Sequence, residues 1–131
     1  MSGIFSKIIQ GEIPCYKIAE DDHNFAFLDI SPLAKGHTLV IPKKEVDYIF
    51  DLDPIEYQSL FIFARKIAKA IDQVVPSKKI GIAVIGLEVP HAHIHLVPLN
   101  EISDLDFSRP KLSLSKEDFT SIAQAISEKI I

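Results

Sequence analysis

The chain has 131 residues, a formal net charge of −4 and 47% hydrophobic residues, which suits one globular domain spanning 1–131. The acidic balance gives no basis for nonspecific nucleic-acid binding, and no long uncharged apolar run offers a membrane span. The start, Met1-Ser2-Gly3-Ile4-Phe5-Ser6-Lys7, lacks the pattern of a secretory signal, and the single cysteine, Cys15, excludes an intrachain disulfide, so the expected location is cytoplasmic.

Apolar residues from Phe5 to Ile9 recur at helical spacing and stop before Gly11 and Pro14, which predicts one or two turns of helix. Cys15 to Ala19 reads as a short strand, Asp21-Asp22-His23-Asn24 as a turn, and Phe25 to Leu28 as a second strand. After the breaks at Asp29-Ile30-Ser31-Pro32 and Ala34-Lys35-Gly36, His37 to Ile41 reads as a third strand, stopped by Pro42. Asp53 as N-cap, Pro54 at N1 and Glu56 at N3 open the longest helix signal. Leu60, Ala64, Ile67, Ile71 and Val74 form its apolar stripe, which runs to about Val75. Lys79 to Ile85 and Ala92 to Pro98 are the fourth and fifth strands. Asn100 to Leu114 is polar and irregular, a candidate mobile loop, and Ser115 with Asp118 caps a final helix carrying Phe119, Ile122, Ala123, Ile126 and Ile130. Strands and helices without regular βα alternation predict an α+β fold with a mainly antiparallel sheet.

The unusual feature is His91-Ala92-His93-Ile94-His95. On an extended strand, side chains alternate, so the three histidines share one face and Ala92 and Ile94 face the core. A neutral imidazole near pH 7 can attack phosphorus when its other ring nitrogen is held as a donor, and neighbouring rings can meet the phosphate charge. A metal site is the main competitor, but one strand does not wrap three alternate rings around a tetrahedral ion, and no Cys-x-x-Cys or His-Glu-x-x-His accompanies them. A polar, solvated strand is the third reading. Taken singly, His37 reads as structural, Asp29 as a cap on local backbone, and Phe27 and Ile4 as core residues.

The segment His91-Ala92-His93-Ile94-His95-Leu96-Val97 resembles the histidine-triad motif, His-φ-His-φ-His-φ-φ. Residues Ile4 to Pro14, Phe25 to Pro32 and Gly36 to Lys43 are similar to three further blocks of that family, in order. The resemblance covers most of residues 3–98, while the segment from about 99 onward is divergent. It is nearest to the nucleoside phosphoramidate hydrolase branch, also called protein kinase C inhibitor-like.

The resemblance implies a five-stranded antiparallel sheet in each subunit of a homodimer, with one long and one C-terminal helix. It implies a purine mononucleotide or nucleotidyl-conjugate substrate cleaved at the α-phosphate through a nucleotidyl-histidine intermediate. His93 matches the nucleophile, His91 and His95 its partners at the phosphate, and His37 the supporting fourth histidine. Asp29 matches the carboxylate that takes the ribose hydroxyls, and Phe27 and Ile4 match residues lining the base pocket.

Departures from the family pattern carry their own expectations. Leu87 and Glu88 replace a glutamine and a hydroxyl residue before the triad. A carboxylate at Glu88 would repel a phosphate, or engage a cationic leaving group, or point away. It keeps open an alternative, a nucleotide-binding adaptor with little turnover. Gly3, Ser6 and Glu45 stand where some members have zinc ligands, so no metal and no cofactor are expected. His95 in the last triad position, where the nucleotidyltransferase branch has glutamine, points away from that branch.

Overall fold

The computed structural model describes residues 3–130. Five strands form one antiparallel sheet: β1 (Lys17–Glu20), β2 (Asn24–Leu28), β3 (Thr38–Pro42), β4 (Lys79–Ala83) and β5 (Ile94–Leu99), in the order β1-β2-β3-β5-β4. Helix α1 (Ile4–Ile9) covers one face, and α2 (Pro54–Val74) and α3 (Lys116–Ser127) cover the other. Both long helices begin where their caps predict. Asp53 accepts from the Glu56 amide and Glu56 from the Asp53 amide, and Ser115 and Asp118 repeat the reciprocal pair.

Strand periodicity divides the core in two. Ala26, Leu28, Val40, Ile94 and Leu96 face the stripe of α2 (Leu60, Phe63, Ala64, Ile67, Ile71) and Phe119, Ile122 and Ile126 of α3. Phe25, Phe27, Leu39 and Ile41 point the other way, toward Phe5 and Ile8 of α1. In register, Leu39 opposes His95 across β3 and β5, so the histidine side of β5 lies on the α1 face.

Several boundaries differ from the sequence expectation. The first strand starts two residues later than Cys15, and β4 stops at Ala83 instead of Ile85. The ladder of β5 starts at Ile94, not Ala92. His91 and His93 therefore precede the ladder, where the chain is held by Ala92 N–H donating to the Val46 carbonyl at 2.7 Å. A 3₁₀ turn, Ile49–Asp51, precedes α2, and another, Ile102–Leu105, opens the stretch expected to be irregular. After that 3₁₀ turn the chain turns again at Phe107–Arg109 and returns toward the histidines. Leu112 N–H donates to the Pro32 carbonyl at 2.9 Å, and Arg109 binds the Ser103 carbonyl and Asp104.

Gly36 sets the entry to β3. Its φ is 90°, and a Cβ there would stand 2.8 Å from Val75, so a side chain is opposed both by backbone conformation and by α2's end. Among the described residues, no helix is long and apolar enough to cross a membrane.

Candidate active site

Hydrogen-bond partners assign the tautomer of each of four histidines, because a backbone amide only donates and a carbonyl only accepts. His93 Nδ1 lies 2.7 Å from the His91 carbonyl, so Nδ1 carries the proton and Nε2 keeps its lone pair. His91 Nε2 lies 2.7 Å from the Pro42 carbonyl, so Nε2 donates there and Nδ1 is bare. Leu33 N–H donates to His37 Nδ1 at 2.9 Å, which puts the His37 proton on Nε2. That proton points at His95 Nδ1, 3.0 Å away, and so His95 carries its own proton on Nε2.

The remaining ring atoms differ in access. His91 Nδ1 is the one sealed, unpaired side-chain nitrogen or oxygen among the described residues. Among the described residues, His93 Nε2 and His95 Nε2 have no hydrogen-bond partner, and neither is sealed. They present a lone pair and an N–H side by side, on rings 4.9 Å apart. A cleft of about 450 Å³, lined in part by Tyr48, Phe50, Phe61, Ile85 and Leu87, reaches His93.

All four rings are buried. Burial holds His37 down to about 3, with His95 and then Lys111 adding repulsion, and holds His95 down to about 4, with His93 adding repulsion. Burial also lowers His91, against the pull of the Pro42 carbonyl and Glu45. His37, His91 and His95 are thus neutral at pH 7.

Asp29 caps the local backbone and also faces the histidines. Its Oδ1 accepts the Ser31 amide at 2.8 Å, the local cap, while Oδ2 lies 3.5 Å from His37 Nε2. Burial raises its carboxyl, partly offset by the Ser31 amide. Phe27 is buried against Phe5. Ile4 is half exposed on α1. Its neighbour Phe5, not singled out from the sequence, is the α1 residue that meets the triad edge-on, 5.6 Å from His91 and 5.2 Å from His93. Phe107 was missed too: its ring lies 4.7 Å from His95 and 6.1 Å from His37. The alternation that marks a strand gives no signal for either contact. Glu88 and Leu87 sit on the exposed connection before the triad.

Two places invite a metal. Asp29, His37 and His95 offer ligand atoms within 4.8 Å of one another. The donor set does not fit, because Leu33 N–H occupies His37 Nδ1 and the Nε2 facing the cluster carries a proton, not a lone pair. The second place is Gly3, Ser6 and Glu45. These residues do converge, but as a clasp: Glu45 Oε1 accepts the Gly3 amide at 2.8 Å and the Ser6 hydroxyl at 2.6 Å. The Ser6 hydroxyl, then the Gly3 amide, hold the Glu45 carboxyl below its ordinary value. One carboxylate already bonded twice, a hydroxyl and a glycine do not make a zinc site. The clasp ties α1, and with it Phe5, to the segment after β3.

Comparison with known proteins agrees with this geometry. Residues 10–102 match the HIT domain. The adenosine 5'-monophosphoramidase hnt1 of Schizosaccharomyces pombe is 36% identical over 132 residues, covering 99% of each chain. The crystal structure of a Hit-like protein involved in cell-cycle regulation from Bartonella henselae superposes with a TM-score of 0.86 at 33% identity, covering 98% of this chain and 96% of the other. A Zn-bound histidine triad family protein from Mycobacterium smegmatis superposes with a TM-score of 0.81 at 28% identity, covering 98% and 95%. Fold, histidine geometry and likeness converge: the chain belongs to the histidine triad (HIT) family, in its nucleoside phosphoramidase branch.

Proposed function

We propose that this HIT hydrolase cleaves purine nucleoside 5'-phosphoramidates, or related nucleotidyl conjugates, at the α-phosphate through a nucleotidyl-His93 intermediate. The observation that carries the reading is the tautomer pattern. Of the four rings, His93 alone offers a lone pair that is neither bonded nor sealed. The relative from Schizosaccharomyces pombe, an adenosine 5'-monophosphoramidase, supports the substrate class.

In the first step His93 Nε2 bonds to phosphorus and the phosphorus–amine bond breaks, the departing amine taking up one proton. Positive charge develops on the His93 ring and is met by the His91 carbonyl at Nδ1–H. The His95 Nε2–H donates to a phosphoryl oxygen, held in that role by the His37 proton on its Nδ1. Water then breaks the phosphorus–Nε2 bond, giving the nucleoside monophosphate, restoring the lone pair and releasing one proton. His91 acts here through its carbonyl and not as a phosphate donor, because its ring N–H is committed to Pro42 and its backbone N–H to Val89. Asp29 Oδ2 takes the ribose hydroxyls, and Phe27 with Ile4 lines the base side. Glu88, exposed next to the cleft-lining Leu87, is the group proposed to meet a cationic amine. The lone cysteine fits the expected cytoplasmic location.

The test is a short incubation with an AMP-amine followed by intact-mass measurement. A nucleotidyl adduct on the wild type that maps to His93 supports the reading. No turnover across a broad phosphoramidate panel would sink it.

The reading includes a homodimer. Strand β4 is a sheet edge, and Ile82, Val84 and Ile85 stand exposed along and beyond it, with Ile62 of α2 exposed as well. An apolar open edge recruits another strand, and a second copy continues the sheet. Ile82→Lys is expected to shift the molecular mass measured by light scattering from dimer to monomer. A wild type that is already monomeric at micromolar concentration contradicts the dimer.

A further inference from the structure

The HIT-domain match ends at residue 102, yet an aromatic side chain beyond it, Phe107, brings its ring centre to 4.7 Å from that of His95. The strap from Asp106 to Leu112 leaves the 3₁₀ turn Ile102–Leu105 and crosses back over the histidines. Its course is fixed at both ends. Asp106 Oδ1 accepts the Ser108 amide and hydroxyl, and Leu112 N–H donates to the Pro32 carbonyl in the loop that also carries Asp29 and Leu33. Arg109 anchors the strap's middle on Asp104, and Lys111 Nζ donates to the carbonyls of Phe107 and Arg109, folding the strap on itself. The side chain this arrangement turns inward is Phe107, edge-on to His95 at 68° and to His37 at 74°.

We infer that Phe107 is a positioning residue for the reaction: its ring shields the His37–His95 hydrogen bond from water and holds the two imidazoles in register. The inference rests on the hydrolytic reading of the site. The physical reason is local. The His37 proton has two acceptors in reach, His95 Nδ1 at 3.0 Å and Asp29 Oδ2 at 3.5 Å. Water in the place of the Phe107 ring would be a third partner and would loosen the ring of His95, whose outward N–H must meet the phosphoryl oxygen. An apolar ring edge-on to both imidazoles excludes that water without competing for their protons.

The charged and titratable groups around the pair come from three elements. His93 faces His95 from the triad, Asp29 faces His37 from the loop after β2, and the Lys111 ammonium acts on both His37 and Asp29 from the strap. None of these is moved by changing Phe107 alone. What changes is access of water, and burial is the leading cause that keeps both rings neutral.

The experiment compares wild type, Phe107→Ala and Phe107→Leu by NMR titration of the histidine ring resonances and by steady-state kinetics on an AMP-amine. In Phe107→Ala the His95 midpoint is expected to rise from about 4 toward the ordinary 6.5, and kcat to fall about ten-fold or more with KM nearly unchanged. Phe107→Leu, apolar but not aromatic, is expected to keep the low midpoint and restore most of kcat. A His95 midpoint in Phe107→Ala equal to wild type overturns the inference, as does an unchanged kcat. Should the wild type cleave no phosphoramidate at all, the hydrolytic reading fails, and the ring titration still decides whether Phe107 shields the pair.

Discussion

Replacing His93 with alanine is expected to lower kcat/KM on an AMP-amine by about 10⁴-fold or more, the scale seen when a covalent nucleophile is removed. The fold is expected to survive. His93 lies outside the β5 ladder and its hydrogen bond is to the adjacent His91 carbonyl, so no strand pairing is lost. A companion His91→Ala variant separates the roles. It keeps the main-chain carbonyl that orients His93, but removes the donor to Pro42 and the ring that meets Phe5. It is therefore expected to lose stability while forming a nucleotidyl adduct on His93. Adduct mass and thermal melting, measured on both variants, give the answer. A His93→Ala protein that cleaves at the wild-type rate removes covalent catalysis by that ring.

The second large effect is on stability against pH. In the unfolded chain His37 and His95 titrate near 6.5, and in the folded chain near 3 and 4. Between those values the unfolded state holds more protons, so unfolding takes up protons and acid favours it. Stability from these rings is present above pH 6.5, falls as the pH drops below it, and has been lost by about pH 3. Asp29 works in the opposite sense. Its carboxyl is raised on folding, so its contribution is present at low pH and is lost as the pH rises through its folded value. His91, also lowered on folding, acts in the same sense as His37 and His95. The expected loss between pH 7 and 4 is on the order of a few kcal/mol, which for a chain of this size lowers Tm by about 10 °C or more. His37→Asn, whose side-chain oxygen can accept the Leu33 amide, is expected to flatten the curve. A Tm constant from pH 7 to 4.5 contradicts burial of neutral rings.

The fold was legible where local chemistry and core pattern agree. Asp53-Pro54 with Glu56, and Ser115 with Asp118, announce the helix starts in four residues each, and both capping boxes formed. The strand faces followed from alternation, down to Ala92 and Ile94 in one core and the histidines on the other side. The strand boundary at the triad was not legible. Whether Ala92 joins a ladder depends on which carbonyl it finds, and it finds Val46, far away in sequence. Phe107 was invisible for a related reason. A single phenylalanine in a polar stretch has no period to betray which surface it covers, and its contact with His95 exists only once Leu112 is tied to Pro32. The residue roles divide in the same way. His37 and Asp29 read as bland from their own neighbours and took on meaning through resemblance. The clasp at Glu45 showed the converse, three positions marked as lacking metal ligands that come together through ordinary hydrogen bonds.

The anchors that set the ring protons have a consequence for what this site can tolerate. His37, His91 and His93 are each oriented by a main-chain atom, of Leu33, Pro42 and His91 respectively. A main-chain carbonyl is present whatever side chain its residue bears, and a main-chain N–H is present in every residue but proline. Exchange of Leu33 for any residue but proline leaves its N–H in place, so the instruction that fixes the proton on His37 does not depend on which side chain stands there. It is written in spacing. Removing one residue between Asp29 and His37 would withdraw the amide and misdirect the whole chain of donors as far as His95. The reactive state of this site is thus robust to point substitution at its anchors, proline at Leu33 excepted, and fragile to a change of loop length.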